Sequence, residues 1–221
     1  MAITLNSTSN GSGSTSAQTS GSWSHNVAAG SDRVLLCCLA FDDATDHGTP
    51  AATYNSVAMT PIAELGNAGG SDRGLCLFGL IAPATGNNTL ALSWTTGVAW
   101  AACSVCYDGV NQTTAWDWNS ETNEAVGPSI SQAVTSAVND LIVGFVVVNA
   151  PTGTNPTATG TGHTNRALST NTQIASRLSD LTGAATGTLT YDSDFEQYRI
   201  AGINLNVSAA ALDPIRLVWR Q

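Results

Sequence analysis

Four uninterrupted apolar runs, each about the length of one β-strand, constrain the fold of this 221-residue chain more than any other feature. They cover residues 34–41, 75–82, 98–107 and 141–148. None shows the sustained 3.6-residue periodicity of an amphipathic helix, and turn signals lie between them, such as the hairpin pair Asn55-Ser56. The pattern predicts an all-β protein, an antiparallel, jelly-roll-like β-sandwich with extended N- and C-terminal arms.

The four runs are apolar on both faces, whereas an ordinary sandwich strand is apolar on one face only. Such a strand alternates apolar and polar residues, because one face meets the core and the other meets water. In residues 34–41 both the odd-numbered and the even-numbered side chains are apolar. The second face needs cover either from a neighbouring subunit, which predicts a homo-oligomer, or from long loops of the same chain. Both explanations stay open at this stage.

A chain of this length buries one substantial core, so we expect one domain with two short arms. Residues 1–22 are rich in Ser, Thr, Gly and Asn and predict a flexible or extended N-terminal arm. Residues 23–208 form the predicted sandwich domain, and residues 209–221 form the C-terminal arm.

Two segments of the later sequence carry weaker patterns. Residues 151–166 are rich in Gly, Thr and Asn and are the longest expected loop. Residues 203–207 alternate apolar side chains with Asn204 and Asn206, which predicts a strand with its asparagine face in solvent.

The end of the C-terminal arm reads as an amphipathic strand. One face carries Ile215, Leu217 and Trp219, and the other carries Arg216 and Arg220. A terminal strand with this much apolar surface should dock, either on an edge of its own sheet or on another subunit. These five residues are therefore the candidate assembly site.

Composition and charge exclude several classes of partner. Only 10% of residues are charged, against about 25% in typical proteins, and the formal net charge is -9 with seven Arg and no Lys. Nucleic acid and anionic membranes are therefore unsuitable partners, since both bind clustered basic residues. The N-terminus has neither the basic segment nor the apolar core of a signal peptide, so we expect synthesis in the cytoplasm without secretion.

The reactive side chains show no catalytic or metal-binding motif. Five cysteines, an odd number, lie within apolar runs and are expected to be reduced core residues. The three histidines, His25, His47 and His163, belong to no Gly-x-Ser-x-Gly or His-Glu-x-x-His sequence. We expect neither an enzyme nor a bound cofactor or metal.

Two tryptophans offer an alternative function. Trp116 and Trp118 flank Asp117 and precede Asn119, and an indole ring beside acid and amide groups is typical of a surface on which a sugar stacks. The alternative structural interpretation is that both rings anchor an edge strand or a loop.

Three short motifs combine a turn with a strand. Gly30-Ser31-Asp32-Arg33 leads into the first apolar run, Tyr54-Asn55-Ser56-Val57-Ala58-Met59 forms a predicted hairpin, and Gly109-Val110-Asn111-Gln112-Thr113-Thr114 follows a strand. Together they resemble a β-sandwich module of phage virion proteins and bacterial surface proteins, over about residues 20–208.

The resemblance implies a structural protein located in a phage virion. The expected role is capsid decoration (cement) or a head-surface protein, assembled with capsid or other virion proteins. The alternative is a carbohydrate-binding module, or a tail or fibre component that contacts host glycans through Trp116 and Trp118.

Overall fold

The computed structural model describes residues 2–42, 47–66, 74–125, 129–149, 155–183, 186–192 and 198–209. Within them the protein is all-β, and its strands form three packed antiparallel sheets, which confirms the predicted antiparallel sandwich.

The largest sheet has seven strands: β1 (Thr4–Val27), β2 (Val34–Asp42), β3 (Ala51–Tyr54), β4 (Val57–Ala58), β5 (Thr60–Leu65), β6 (Gly74–Ile81) and β7 (Gly86–Asp108). The second has β8 (Trp116–Ala125), β10 (Leu141–Asn149), β12 (His163–Thr170), β13 (Ile174–Thr182) and β15 (Tyr198–Leu205). The third has β9 (Ser129–Thr135), β11 (Thr157–Ala158) and β14 (Thr186–Asp192). Their orders are β4-β3-β7-β2-β6-β5 with β1 on β7, β12-β13-β10-β15-β8, and β11-β14-β9.

The apolar runs form strands as the sequence predicts. They become β2, β6, the second half of β7, and β10. The hairpin between β3 and β4 is also confirmed, with φ of 50° at Asn55 and 62° at Ser56. Two consecutive positive φ angles are characteristic of the tight turn whose twist matches its flanking strands.

The N-terminal segment differs from the prediction of an arm ending at residue 22. Strand β1 is continuous across that boundary and pairs with β7 from Thr4 opposite Asp108 to Val27 opposite Gly86. The polar composition of residues 4–22 did not indicate a strand. A strand on the outside of a ribbon is held by backbone hydrogen bonds to its partner and needs little apolar side-chain surface of its own. Sequence reasoning based on burial could not detect such a strand.

Strands β1 and β7 form one long ribbon that bends over the sheet to which it belongs. The second half of β7 pairs with β2, whereas Leu90 to Ser93 of its first half pair with β3. The register of β1 shifts between Ser14 and Ser20, where the ribbon bends. Gly21 lies against the Trp100 ring, and a Cβ there would be 2.2 Å from the indole, so glycine allows this close approach.

Three apolar cores result. The main core lies between the two larger sheets and includes Leu36, Cys38 and Phe145. The ribbon core lies under the bent ribbon and includes Leu35 and Trp94. The outer core, between the second and third sheets, includes Val146 and other buried apolar residues.

This layering explains the doubly apolar runs. Even-numbered residues of β2 enter the main core and odd-numbered residues enter the ribbon core, and all of its apolar side chains are buried within one chain. The cover therefore comes from other strands, and neither a second subunit nor long loops are needed for it. The predicted loop 151–166 also contains β11 and the start of β12.

Two facing glycines let the third sheet approach the second. Gly144 of β10 lies opposite Gly202 of β15, and both lie under β9 and β14. A Cβ at Gly202 would lie 2.4 Å from Cγ2 of Val134, which is fully buried and β-branched, and so cannot easily move aside.

We expect Gly202→Ala to lower the free energy of unfolding by about 1–3 kcal/mol, because the added methyl group overpacks the outer core. Gly97→Ala is the matched control, since its Cβ would meet only an ordinary contact at 3.4 Å from Ala17. Urea unfolding of both variants measures the difference. Equal stability of the two variants would contradict this account of the outer core.

Candidate interaction site

In the described part of the chain, one long side of the sandwich is closed by side-chain contacts and the opposite side is open. On the closed side, side chains connect β1 to the β12 region: Asn10 Oδ1 accepts from Leu168 N at 3.2 Å, and Ser169 Oγ donates to Ser12 O at 2.9 Å. The open side is bordered by edge strands β5 and β8. Among the described residues, β8 pairs with β15 alone, so one backbone edge of β8 has no strand beside it.

The structure places the two candidate tryptophans differently. Trp116 is half-buried against the main core, and a Cβ at Gly79 would lie 2.8 Å from its Cη2. Trp118 is 40% exposed. Trp116 therefore anchors the edge strand, whereas Trp118 presents its ring to solvent.

A polar cleft of about 510 Å³ lies beside β8. It is lined by Asp117, Thr135, Ser136, Ala137, Asp140, Asn204 and Asn206. Sequence reasoning missed most of this site, because its residues come from β8, from the turn after β9 and from the end of β15.

The floor of the cleft is a connected hydrogen-bond network around Asn204. The Asn204 amide donates to Asp140 Oδ2 at 3.0 Å and to Asn206 Oδ1 at 2.9 Å, and its oxygen accepts from Ser136 Oγ at 2.6 Å. Asp140 Oδ1 also accepts from the backbone N–H of Val207 at 2.9 Å. The network positions the floor rigidly, since its members already satisfy one another.

The position of Asn204 corrects the prediction of a solvent-facing asparagine side on this strand. The residue is only 4% exposed. Its side chain is buried because Asp140 and Ser136 supply the partners that a buried amide requires.

Two exposed apolar residues are sequence neighbours of residues that line this cleft. Trp118 follows the lining residue Asp117, and Val138, which is 74% exposed, follows the lining residue Ala137. Only two other large apolar residues are exposed in the described part of the chain, Leu5 and Val57. Trp118 pairs with Ile203, on the face of β8 opposite Asp117, so its ring is exposed near the main core and does not line the cleft.

The three histidines lie on separate elements. His25 of β1 is fully buried, with Nε2 2.9 Å from Ser7 Oγ and Nδ1 2.7 Å from Ser104 Oγ. His47 packs on Phe41 with ring centroids 4.1 Å apart, and His163 Nε2 donates to Thr188 O at 3.0 Å.

The hydrogen-bonded series Ser7–His25–Ser104 has the contacts of a catalytic relay, but His25 does not have the pKa of a general base. Desolvation lowers the pKa of His25 to about 4, whereas an effective general base titrates near the working pH. The three residues come from the two ends of β1 and from β7. The chain of hydrogen bonds therefore holds the bent ribbon closed.

The cysteines are free and buried, as the sequence predicts. Cys38 and Cys103 lie in the main core, and Cys106 lies in the ribbon core, so Cys103 and Cys106 face opposite sides of β7. Burial raises the pKa of Cys106 to about 12, which removes its reactivity at neutral pH. The described residues contain no group of three or more His, Cys, Asp or Glu side chains placed to hold a metal ion.

The candidate assembly residues Ile215, Arg216, Leu217, Trp219 and Arg220 lie outside the described residues. The last described residues are held at the sandwich: Val207 bridges Val110, and Ser208 N donates to Gly109 O at 2.7 Å. In the described part of the chain, no helix has the length and apolar character to cross a bilayer.

The buried state of His25 predicts a pH dependence of stability. Its folded pKa of about 4 lies below the ordinary 6.5, so the unfolded chain takes up the proton first as the pH falls. The stabilisation is complete above pH 6.5 and decreases towards pH 4, by about 3 kcal/mol in total. Unfolding at several pH values should show this decrease in the wild type and in His163→Gln, but not in His25→Gln. Parallel curves for all three proteins would contradict it.

Comparison with known proteins leaves the family open. No protein-family model and no curated protein sequence matches this chain. Among solved structures, it is similar to dimeric latent PorU from Porphyromonas gingivalis, with 10% identity and a TM-score of 0.28. The match covers 87% of this chain and 20% of that one, so this chain spans about a fifth of the PorU chain.

Proposed function

We propose that the protein is a non-enzymatic structural component that assembles with other proteins on the surface of a phage virion, as a capsid decoration or head-surface protein. The observation that carries this proposal is the completeness of the cores. Residues within 2–209 bury both faces of β2 and the apolar faces of β10. Because those cores are already filled, we assign the apolar sequence pattern of Ile215, Leu217 and Trp219 to contact with a partner.

The chemistry of the described surface supports an assembling role over a catalytic one. His25 is buried with a low pKa, and all five thiols are buried. The sequence is poor in charge, and the described residues expose four large apolar side chains, Leu5, Val57, Trp118 and Val138. Trp118 lies on an edge strand, where an exposed apolar side chain is suited to protein contact.

Deleting residues 210–221 should abolish attachment to the virion and leave the sandwich folded. We expect the free energy of unfolding to change by less than about 0.5 kcal/mol, because the cores are complete without this segment. Co-sedimentation with particles of the encoding phage measures attachment, and circular dichroism with thermal unfolding measures the fold.

Point variants refine this test. Leu217→Ser with Trp219→Ser should behave like the deletion, whereas Val57→Ser, which removes an exposed apolar side chain elsewhere, should attach normally. Normal attachment of the deletion variant would overturn the proposed role of the segment, and unfolding would assign the segment to the core.

A second candidate function is glycan contact by a tail or fibre component. It is favoured by the exposed ring of Trp118 on an edge strand on which the neighbouring residue, Asp117, lines a cleft of carboxylate, amide and hydroxyl groups. Trp118→Ala should then abolish binding of host-surface polysaccharide, measured by tryptophan fluorescence titration. Trp116→Ala should instead destabilise the fold, since that ring is half-buried. Absence of any polysaccharide response in the wild type would eliminate this candidate.

A further inference from the structure

We propose that Cys38 and Cys103 are a peroxide-sensitive pair, which hydrogen peroxide converts from two buried thiols into one intramolecular disulfide. The bond joins β2 to β7 on the face of the first sheet that meets the main core. This inference goes beyond the proposed assembling function and does not depend on it, because the chemistry takes place within one chain.

The first argument is the register of the two strands. Strands β2 and β7 pair antiparallel, and Cys38 lies directly opposite Cys103. Directly opposed residues in such a pair have Cα atoms about 4.5–5.5 Å apart, within the range of about 4.4–6.8 Å that a disulfide spans. Both side chains enter the main core, so the two sulfur atoms lie on the same face of the sheet.

The other three cysteines provide the contrast. Cys37, Cys76 and Cys106 lie in the ribbon core, on the opposite face of the sheet. Each of them is directly opposed by residues other than cysteine, namely Ser104 and Phe78 for Cys37, Leu39 and Glu64 for Cys76, and Leu35 and Ser7 for Cys106. Within the strands that the structure describes, Cys38 and Cys103 are therefore the one directly opposed pair of cysteines.

The second argument is the polar surroundings of Cys103. Ser176 of β13 faces it across the main core, with Oγ 3.8 Å from the Cys103 sulfur. Burial alone would raise the pKa of the Cys103 thiol, but hydrogen bonds from Cys38, Ser176 and the backbone N–H of Leu178, together with the charge of Arg177, bring it below its ordinary value. Cys103 is therefore the more acidic thiol of the pair.

The remaining thiols are shifted in the other direction. The hydrogen bond that Cys38 donates to Cys103 raises the pKa of Cys38, and burial raises the pKa of Cys37, Cys76 and Cys106. Because the thiolate is the nucleophilic form of cysteine, Cys103 is the sulfur that attacks the oxidant and Cys38 is the sulfur that completes the disulfide.

The reaction balances with hydrogen peroxide as its one oxidant. The Cys103 thiolate attacks a peroxide oxygen, the O–O bond breaks, and the products are a Cys103 sulfenic acid and hydroxide, which takes up a proton to form water. The Cys38 thiol then loses its proton as its sulfur attacks the Cys103 sulfur, and the S–O bond breaks to release a second water. In total, two thiols lose two electrons and two protons, and one peroxide becomes two water molecules.

The burial of the pair sets the rate and the consequence of oxidation. Both residues are fully buried, so peroxide reaches them when the sandwich opens transiently, and oxidation is slower than in the unfolded chain. The disulfide closes a loop that contains β3 to β6, which restricts the unfolded chain. We therefore expect the oxidised protein to unfold at a higher urea concentration than the reduced protein.

Thiol titration of the purified full-length protein in denaturant tests the pair. The reduced protein has five free cysteines, and prior treatment of the folded protein with hydrogen peroxide should lower the number of titrated thiols by two. The mass should fall by two hydrogen atoms, and dithiothreitol should restore both values. Tandem mass spectrometry of an unreduced digest should locate the link between Cys38 and Cys103.

Three variants assign the roles of the two sulfur atoms. Cys37→Ala is the matched control, because Cys37 is the sequence neighbour of Cys38 and equally buried but faces the ribbon core, and it should still lose two thiols. Cys38→Ala should form no disulfide and accumulate a sulfenic acid at Cys103 that dimedone traps. Cys103→Ala should form neither product.

The outcomes that overturn the inference are specific. They are an unchanged thiol number in the oxidised wild type, a disulfide that links other cysteines, or loss of two thiols in Cys38→Ala or Cys103→Ala. If a substitution unfolds the protein, the location of the link in the oxidised wild type decides the question alone. Attachment to the virion is measured separately, so failure of this inference leaves the proposed function standing.

Discussion

The bending of the β1–β7 ribbon over its own sheet is the constraint on which the rest of the structure depends. A strand such as β2, apolar on both faces, cannot serve as the wall of a two-layer sandwich without exposing one face to water. The ribbon covers that face with Leu92, Trp94 and Trp100, so β2 becomes an internal layer. Hydrogen bonds of buried His25 to Ser7 and Ser104 then connect the two ends of the bend.

Sequence alone could predict the strands but not their layering. Residues 34–41 and the Asn55-Ser56 turn were correct because runs and turns depend on local chemistry. The bend of β1 was not foreseeable, since it depends on Gly21 meeting Trp100 across the ribbon. That contact joins residues far apart in sequence, and no local pattern signals it.

The cleft could not be predicted from the sequence for a related reason. Alternation correctly placed Ile203 and Asn204 on opposite faces of β15, but burial of the second face depends on what packs there. Asp140 follows a turn in which Asn139 has a φ of 75°, and this turn carries the carboxylate to Asn204. The available signal was the turn-forming Asn139-Asp140 pair just before an apolar run, which marks a strand entry but not its partner.

Because strands of the same chain cover the apolar faces of β2, those faces are not needed as contacts in the proposed assembly. If the apolar faces of β2 were the contact, separating the subunits would expose core residues, and assembly could not be separated from folding. With those faces covered internally, the contacts of the proposed assembly fall on the outer surface of a sandwich that is already filled. Folding and the proposed assembly are then separable, because each folded chain keeps its core when it leaves a partner.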